Sequence, residues 1–182
     1  MTQRFNTAFG ETVRLIDGHG RTTEFDYDLD GQLLARRGEH TNASWHYDVL
    51  GNQTVSIDER GQVVSYQYDS EGRVLSRIED PNELNGEARP NARHLVSEYR
   101  YNAFGDRIYE RSPQNRVREF QFDREGRLIE RQERDGSGPA RTTQYRYDSR
   151  DEVIWQQDAE GGVQQQHYDA QGRLIAQRNA LG

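Results

Sequence analysis

Polar and apolar positions in this chain alternate in short bursts, and the same burst recurs. Tyr66 to Arg77 read YQYDSEGRVLSR, Phe120 to Arg131 read FQFDREGRLIER, and His167 to Arg178 read HYDAQGRLIAQR. Where two rings flank one polar residue, the period of two places both rings on one face of a β-strand; the residue between them, Gln67 or Arg146 for example, points the other way. An Asx residue followed three positions later by glycine marks a type I turn, with Asx at its first position and a left-handed glycine closing a bulged hairpin loop. The apolar residue beyond the glycine begins a returning strand. One burst therefore predicts one β-hairpin.

Five columns align over seven units. The anchors are Tyr27, Tyr47, Tyr68, Tyr101, Phe122, Tyr147 and Tyr168, spaced by 20, 21, 33, 21, 25 and 21 residues. Each is followed by Asp28, Asp48, Asp69, Asn102, Asp123, Asp148 or Asp169. Four residues past the anchor stand Gly31, Gly51, Gly72, Gly105, Gly126 and Gly172, with Asp151 as the departure. Two residues before it are Phe25, Trp45, Tyr66, Tyr99, Phe120 and Tyr145, with Gln166 breaking the series. Three past the glycine position come Leu34, Thr54, Leu75, Ile108, Ile129, Ile154 and Ile175. Such periodicity is the mark of a repeat architecture. A helix over Asp123 to Arg134 is the competing reading, because Glu and Arg there stand at i,i+4 spacing. A glycine in nearly every unit, at about 1 kcal/mol each, and rings two residues apart both oppose it.

The turns that lead from one unit to the next read as looser. Their candidates are Asp17–Gly20, Gly38–His40, Asp58–Gly61, Asp135–Gly138 and Asp158–Gly161. Pro81, Pro90, Pro113 and Pro139 all fall in such connections, where a sheet must put residues without an N–H. The spacing of 33 implies an inserted surface loop at about 80–93. The expected organisation is a lead-in with a partial repeat (1–24), seven hairpin repeats (25–178) and a short end (179–182).

Composition changes this picture in one respect. Only 32% of the 182 residues are hydrophobic and 30% are charged, a thin supply of core. Disorder is not implied, because aromatics reach 10% and the net charge of −7 is the small difference between 31 acids and 24 bases that are interspersed. No segment offers the basic footprint that nucleic acid requires. No apolar run approaches the roughly 20 residues of a membrane span. The N-terminus, MTQRFNTAFG, lacks the apolar region of a secretory signal. The absence of cysteine removes disulfides and thiolate chemistry.

Candidate chemistry is sparse. The recurring aspartates invite a catalytic reading, but one per hairpin is the pattern of turn closure rather than of a unique constellation. His19, His40, His46, His94 and His167 lie in different units without metal-ligand spacing, so no metal or cofactor is expected. Gly18-His19-Gly20 continues to Thr23 where a dinucleotide fingerprint needs glycine. Trp45 and Trp155 are the right type to stack on sugar rings; as members of the ring column and of a returning strand they also have a structural reading.

The pattern xYDxxGRL at roughly 20-residue spacing, from Phe25 to Arg178, resembles the YD repeat of the Rhs family, shared with the teneurins and with the C components of insecticidal toxin complexes. The resemblance implies an all-β fold, a ribbon of antiparallel hairpins that spirals into a hollow shell enclosing a toxic polypeptide. It further implies a bacterial protein, cytoplasmic until delivered by a type VI secretion system or by docking on an injection channel. The DPxGLxG-like block that ends an Rhs shell has no recognised counterpart here. Seven hairpins are too few to close a shell, so a wall segment of a larger polypeptide is expected, its partners being further YD repeats and the enclosed toxin. No enzymatic activity is expected. The alternative is a module whose exposed aromatics bind carbohydrate or a partner surface.

Overall fold

The computed structural model describes residues 1–81, 83–84, 87–89 and 91–180. Its first compact unit, Met1–Val96, is built on eight antiparallel strands: β1 (Gln3–Asn6), β2 (Thr12–Ile16), β3 (Thr22–Tyr27), β4 (Leu33–Gly38), β5 (Ala43–Tyr47), β6 (Gln53–Ile57), β7 (Val63–Tyr68) and β8 (Val74–Glu79). Each pairs with the next in chain order, so the sheet is a meander and every ring-bearing strand runs in the same direction. A separate antiparallel pair of short strands, β9 (Glu83–Leu84) and β10 (Glu87–Ala88), lies inside the expected insertion. The second unit, Ser97–Gly182, repeats the meander with β11 (Leu95–Tyr101), which straddles the division, β12 (Arg107–Arg111), β13 (Arg116–Phe122), β14 (Leu128–Asp135), β15 (Arg141–Tyr147), β16 (Val153–Gln157), β17 (Val163–Tyr168) and β18 (Leu174–Ala180). Asp123 to Arg134 is a turn and a strand, which disposes of the helical alternative.

The register shows why the sequence repeats as it does. Tyr66 pairs with Arg77 and Gln67 with Ser76, but Tyr68 pairs with Val74, so Leu75 is the extra residue of a β-bulge. The same shift occurs at Tyr27, Tyr47, Tyr101, Phe122, Tyr147 and Tyr168. The branched column thus does not open the returning strand, as its alternation suggests. Each returning strand starts one residue earlier, and Leu34, Leu75, Ile154 and Ile175 occupy bulges and remain exposed.

There is little dry interior. Among the described residues the most enclosed side chains are Ala35, Ala43 and Val63 with the polar Ser76 and Thr143, and no large side chain is fully buried. The pairings place Ala35 opposite Asp26 and Ser76 opposite Gln67, on the face away from the rings, and Ala43 opposite Arg36 on the ring face. Both faces therefore mix small apolar groups with charged ones. Pro81, Pro113 and Pro139 lie outside strands, while Pro90 falls outside the described residues, as do Leu181 and Gly182 of the expected C-terminal end.

Candidate functional site

The recurring corner is a closed hydrogen-bond circuit. At Asp69 the backbone N–H donates to the Arg73 carbonyl (3.0 Å) and the Gly72 N–H donates to the Asp69 carbonyl (3.1 Å). The Asp69 Oδ1 accepts the N–H groups of Glu71 (3.0 Å) and Arg73 (2.9 Å), and Oδ2 accepts from Arg73 Nε at 2.7 Å. Gly72, at φ +76°, supplies the left-handed turn of backbone that brings those donors to one oxygen. The amide of Arg73 first, against the opposing effect of desolvation and with the help of the Arg73 guanidinium, holds the Asp69 carboxyl below the usual carboxylate range.

Every predicted corner residue sits in this circuit. Asp28, Asp48, Asn102, Asp123, Asp148 and Asp169 each offer Oδ1 to the backbone N–H groups two and four residues on. Gly31, Gly51, Gly105, Gly126 and Gly172 all have positive φ. Asp151 takes the same conformation at φ 67° without being glycine. Arg127 and Arg173 clasp Asp123 and Asp169 as Arg73 clasps Asp69, at 2.7 and 2.6 Å.

Several connections expected to be looser are the same corner. Asp17, Asp58 and Asp158 bond the amides two and four residues on, and Gly20, Gly61 and Gly161 close them with positive φ. Two further corners escape the Asx-x-x-Gly pattern. Thr7 Oγ1 accepts from Phe9 and Glu11 N–H, closing β1 onto β2 within the expected lead-in, and Ser112 with Asn115 (φ 63°) closes β12 onto β13.

The anchor tyrosines tie each hairpin to the one before. Tyr27, Tyr47, Tyr68, Tyr147 and Tyr168 each donate their hydroxyl to the carbonyl of the first residue in the preceding returning strand: Thr12, Leu33, Gln53, Leu128 and Val153, at 2.7–3.2 Å. The acceptor lies beside a bulge, where the ladder is locally interrupted. Desolvation raises the phenols of Tyr47, Tyr68 and Tyr147, which keeps them protonated as donors. Tyr66 and Tyr68 stack side by side with centroids 6.3 Å apart. Tyr101 and Phe122 occupy the same register, opposite Arg107 and Leu128.

A second lateral link runs along the corners themselves. Gln32 Nε2 reaches the Gly51 carbonyl (3.2 Å), Arg127 Nη1 the Asp148 carbonyl (2.8 Å) and Arg150 Nη1 the Asp169 carbonyl (2.8 Å). Arg127 also pairs with Asp151 and lies over the Tyr147 ring, 5.0 Å from its centroid. The side chain that follows the glycine (Gln32, Arg127), or the one just before Asp151 (Arg150), thus braces the next corner.

Away from the corners, Arg107, Arg116 and Arg118 interleave with Glu110, Glu133 and Asp135 on the ring face of the second unit, where Glu110, Arg116, Arg118 and Asp135 line an open depression of about 480 Å³. On the opposite face Arg146 covers the Trp155 ring at 4.5 Å and Arg100 the Tyr109 ring at 4.4 Å. Trp45 lies half-buried on the ring face, paired with Ser56. Among the described residues no group of three or more His, Asp or Glu side chains is arranged to hold a metal ion. No helix there is long and apolar enough to cross a membrane. The geometry is that of a cross-braced sheet, with its unusual hydrogen bonds spent between hairpins.

The family model described as Teneurin YD-shell matches residues 9–181. No curated protein matches the chain by sequence. Among solved structures, a crystal structure of TcdB2-TccC3-Cdc42 matches with a TM-score of 0.70 at 16% identity, covering 99% of this chain and 10% of that one. A crystal structure of TcdB2-TccC3 gives 0.71 at 12% identity, over 98% of this chain and 10% of that one. A Photorhabdus luminescens Tc holotoxin pore gives 0.70 at 14%, over 99% and 10%. At these identities the likeness is one of fold, and the chain spans about a tenth of the length of the chains it matches.

Proposed function

Since the chain belongs to the Teneurin YD-shell family, we propose that it is a stretch of wall in an Rhs-type shell, and that the assembled shell encloses a toxin polypeptide and helps deliver it. The observation that carries this reading is the tyrosine hydroxyl bonded back to the preceding hairpin, repeated at Tyr27, Tyr47, Tyr68, Tyr147 and Tyr168. A sheet with so thin a core must hold its hairpins together by other means, and these bonds and the corner braces do so while leaving both faces wet. The recurring Asx, glycine and ring positions are then masonry, the mechanism is containment, and no bond is made or broken. Export through a type VI system and docking on an injection channel are two deliveries compatible with the same wall.

The test is protease protection. A polypeptide enclosed by the complete shell that includes this segment should survive a protease that digests it free in solution, and should lose that protection when the shell is unfolded. Equal digestion in both states refutes containment. The carbohydrate-binding reading has less support, because the Arg146 guanidinium already covers a face of the Trp155 ring on which a sugar would stack. A saturable change in tryptophan fluorescence on glycan titration would favour it instead.

A further inference from the structure

Three consecutive hairpin tips of the first unit carry exposed apolar side chains that turn geometry does not demand; in the second unit the Asn102 corner, with Phe104 87% exposed, is a single tip of the same kind. The corners Thr7–Gly10, Asp28–Gly31 and Asp48–Gly51 lie along one edge of the first unit, because β1 to β6 pair in chain order and each corner joins an odd strand to the next even one. The two central positions of such a turn accept most residues, and polar ones dominate them. Here they carry Phe9 (91% exposed), Leu29 (106%), Val49 (101%) and Leu50 (70%). An aligned row of apolar side chains standing free in water marks an interaction surface.

Charge separates the same three corners from the Asp69 corner that follows them on the edge. With the residue that follows each, they contain Glu11, Asp28, Asp30 and Asp48 and no lysine or arginine. Asp28 and Asp48 offer Oδ1 to backbone amides, and among the described residues neither is in an ion pair. The corners at Asp69, Asp123, Asp148 and Asp169 instead carry Arg73, Arg127, Arg150 and Arg173, each paired with its own corner carboxylate. The edge is therefore apolar and acidic over three tips, and charge-compensated beyond them in the same unit at Asp69.

Spacing selects the partner's conformation. Successive tips are separated by two strands, about 10 Å at the usual 4.8 Å strand spacing. An α-helix advances about 10.5 Å over seven residues and returns to the same face. An extended strand covers about 10 Å in three residues but then presents opposite faces. We propose that the tips at Phe9, Leu29 and Val49–Leu50 are a docking edge for a basic amphipathic helix, whose apolar side chains at i, i+7 and i+14 sit on the three tips while its flanking lysines or arginines meet Glu11, Asp28, Asp30 and Asp48. This inference is independent of containment.

The experiment measures fluorescence anisotropy of an 18-residue labelled peptide of leucine and lysine, with the leucines on one helical face, titrated with the whole chain. Saturable binding is expected. The combined variant Phe9→Ser, Leu29→Ser, Val49→Ser and Leu50→Ser should weaken it by at least about tenfold, the effect of some 1.4 kcal/mol. Asp30→Asn should weaken it less and reduce its salt dependence. The single variant Leu29→Ser, with far-UV dichroism as a check on folding, carries the test if the combined variant unfolds. A photoactivatable leucine analogue in the peptide should cross-link to residues 7–11, 28–32 or 48–52. Equal affinity for the variants overturns the proposal, as does equal affinity for a peptide of the same composition with leucine at every second position. It is also overturned if the chain instead sediments with phosphatidylcholine vesicles, or self-associates, in a manner lost in the serine variant.

Discussion

The hydroxyl of Tyr68 donates to the carbonyl oxygen of Gln53, 2.7 Å away and 15 residues earlier in the chain. Tyr68 closes one hairpin and Gln53 opens the returning strand of the hairpin before it, so the bond staples neighbouring repeats beside the corner. Tyr68→Phe keeps the ring and its stacking on Tyr66 but removes the donor. The expected cost is about 1 kcal/mol, that of an ordinary intramolecular hydrogen bond. In urea unfolding it should appear as a lower midpoint with an unchanged slope. An unchanged midpoint would mean that the hydroxyl does no more than touch its acceptor.

The glycine column makes a sharper prediction about backbone than about space. Gly126 has φ +81°, and a Cβ built there meets nothing within 4 Å. Gly126→Val should therefore cost about 1–2 kcal/mol through left-handed strain alone. Asp151 is the natural counter-example, holding φ 67° with an exposed side chain paired to Arg127. Asp151→Gly relieves the backbone and loses an exposed ion pair worth about 0–1 kcal/mol, so its melting temperature should stay level or rise. Gly126→Val should lower the thermal melt and Asp151→Gly should not, and a harmless Gly126→Val would undo the turn assignment.

How much of this was legible follows from the range of each interaction. Asx-x-x-Gly is local chemistry, so the corners at Asp28, Asp48, Asp69, Asn102, Asp123 and Asp169 could be read directly. The corners at Thr7 and Ser112 could not, because Thr and Ser supply the same acceptor oxygen and Asn115 replaces glycine. Bulges at Leu34 and Leu75 leave alternation along the strand intact and show only in the partner's register. The destination of a tyrosine hydroxyl 15 residues back depends on which strand lies beside it, which no column of one sequence records. Even so, a signal for the Arg clasp was present: arginine follows the glycine in Gly72-Arg73, Gly126-Arg127 and Gly172-Arg173.

Acid should loosen the corners late. Asp17 is lowered to about 2, first by the amide of Arg21, and Asp69 and Asp169 are lowered first by the amides of Arg73 and Arg173. A carboxyl whose folded pKa lies below its unfolded value stabilises the fold fully above the unfolded value, about 3.9, and loses that contribution as pH falls through the folded one. The melting temperature should thus hold from pH 7 to about 5 and decline between about 4 and 2. Asp69→Asn keeps an oxygen acceptor, as Asn102 does naturally, and should flatten part of that decline. A collapse already complete at pH 5 would point to groups other than the corner carboxylates.

Arg127 is the most connected brace. It clasps Asp123, reaches the Asp148 carbonyl, pairs with Asp151 and covers the Tyr147 ring. A lysine carries the charge but not the planar fork that meets several acceptors at once. Arg127→Lys should therefore recover only a small part of the stability lost in Arg127→Ala, whereas a purely electrostatic role would give near-complete recovery. Chemical unfolding of the two variants distinguishes these outcomes.

Phe122 offers the reverse experiment. It stands in the anchor column and pairs with Leu128, the first residue of β14, as each anchor tyrosine pairs with the first residue of its own returning strand. A tyrosine hydroxyl placed on its ring would stand in the same register as those of the other anchors. By the rule of the other units its acceptor would be the carbonyl of Arg107, the first residue of β12 and 15 positions earlier. Phe122→Tyr should then raise stability by up to about 1 kcal/mol, in mirror image of Tyr68→Phe. Measured by urea unfolding, a gain would show the hydroxyl-to-carbonyl bond to be a transferable part of the repeat; a clear loss would confine it to the units that already carry it.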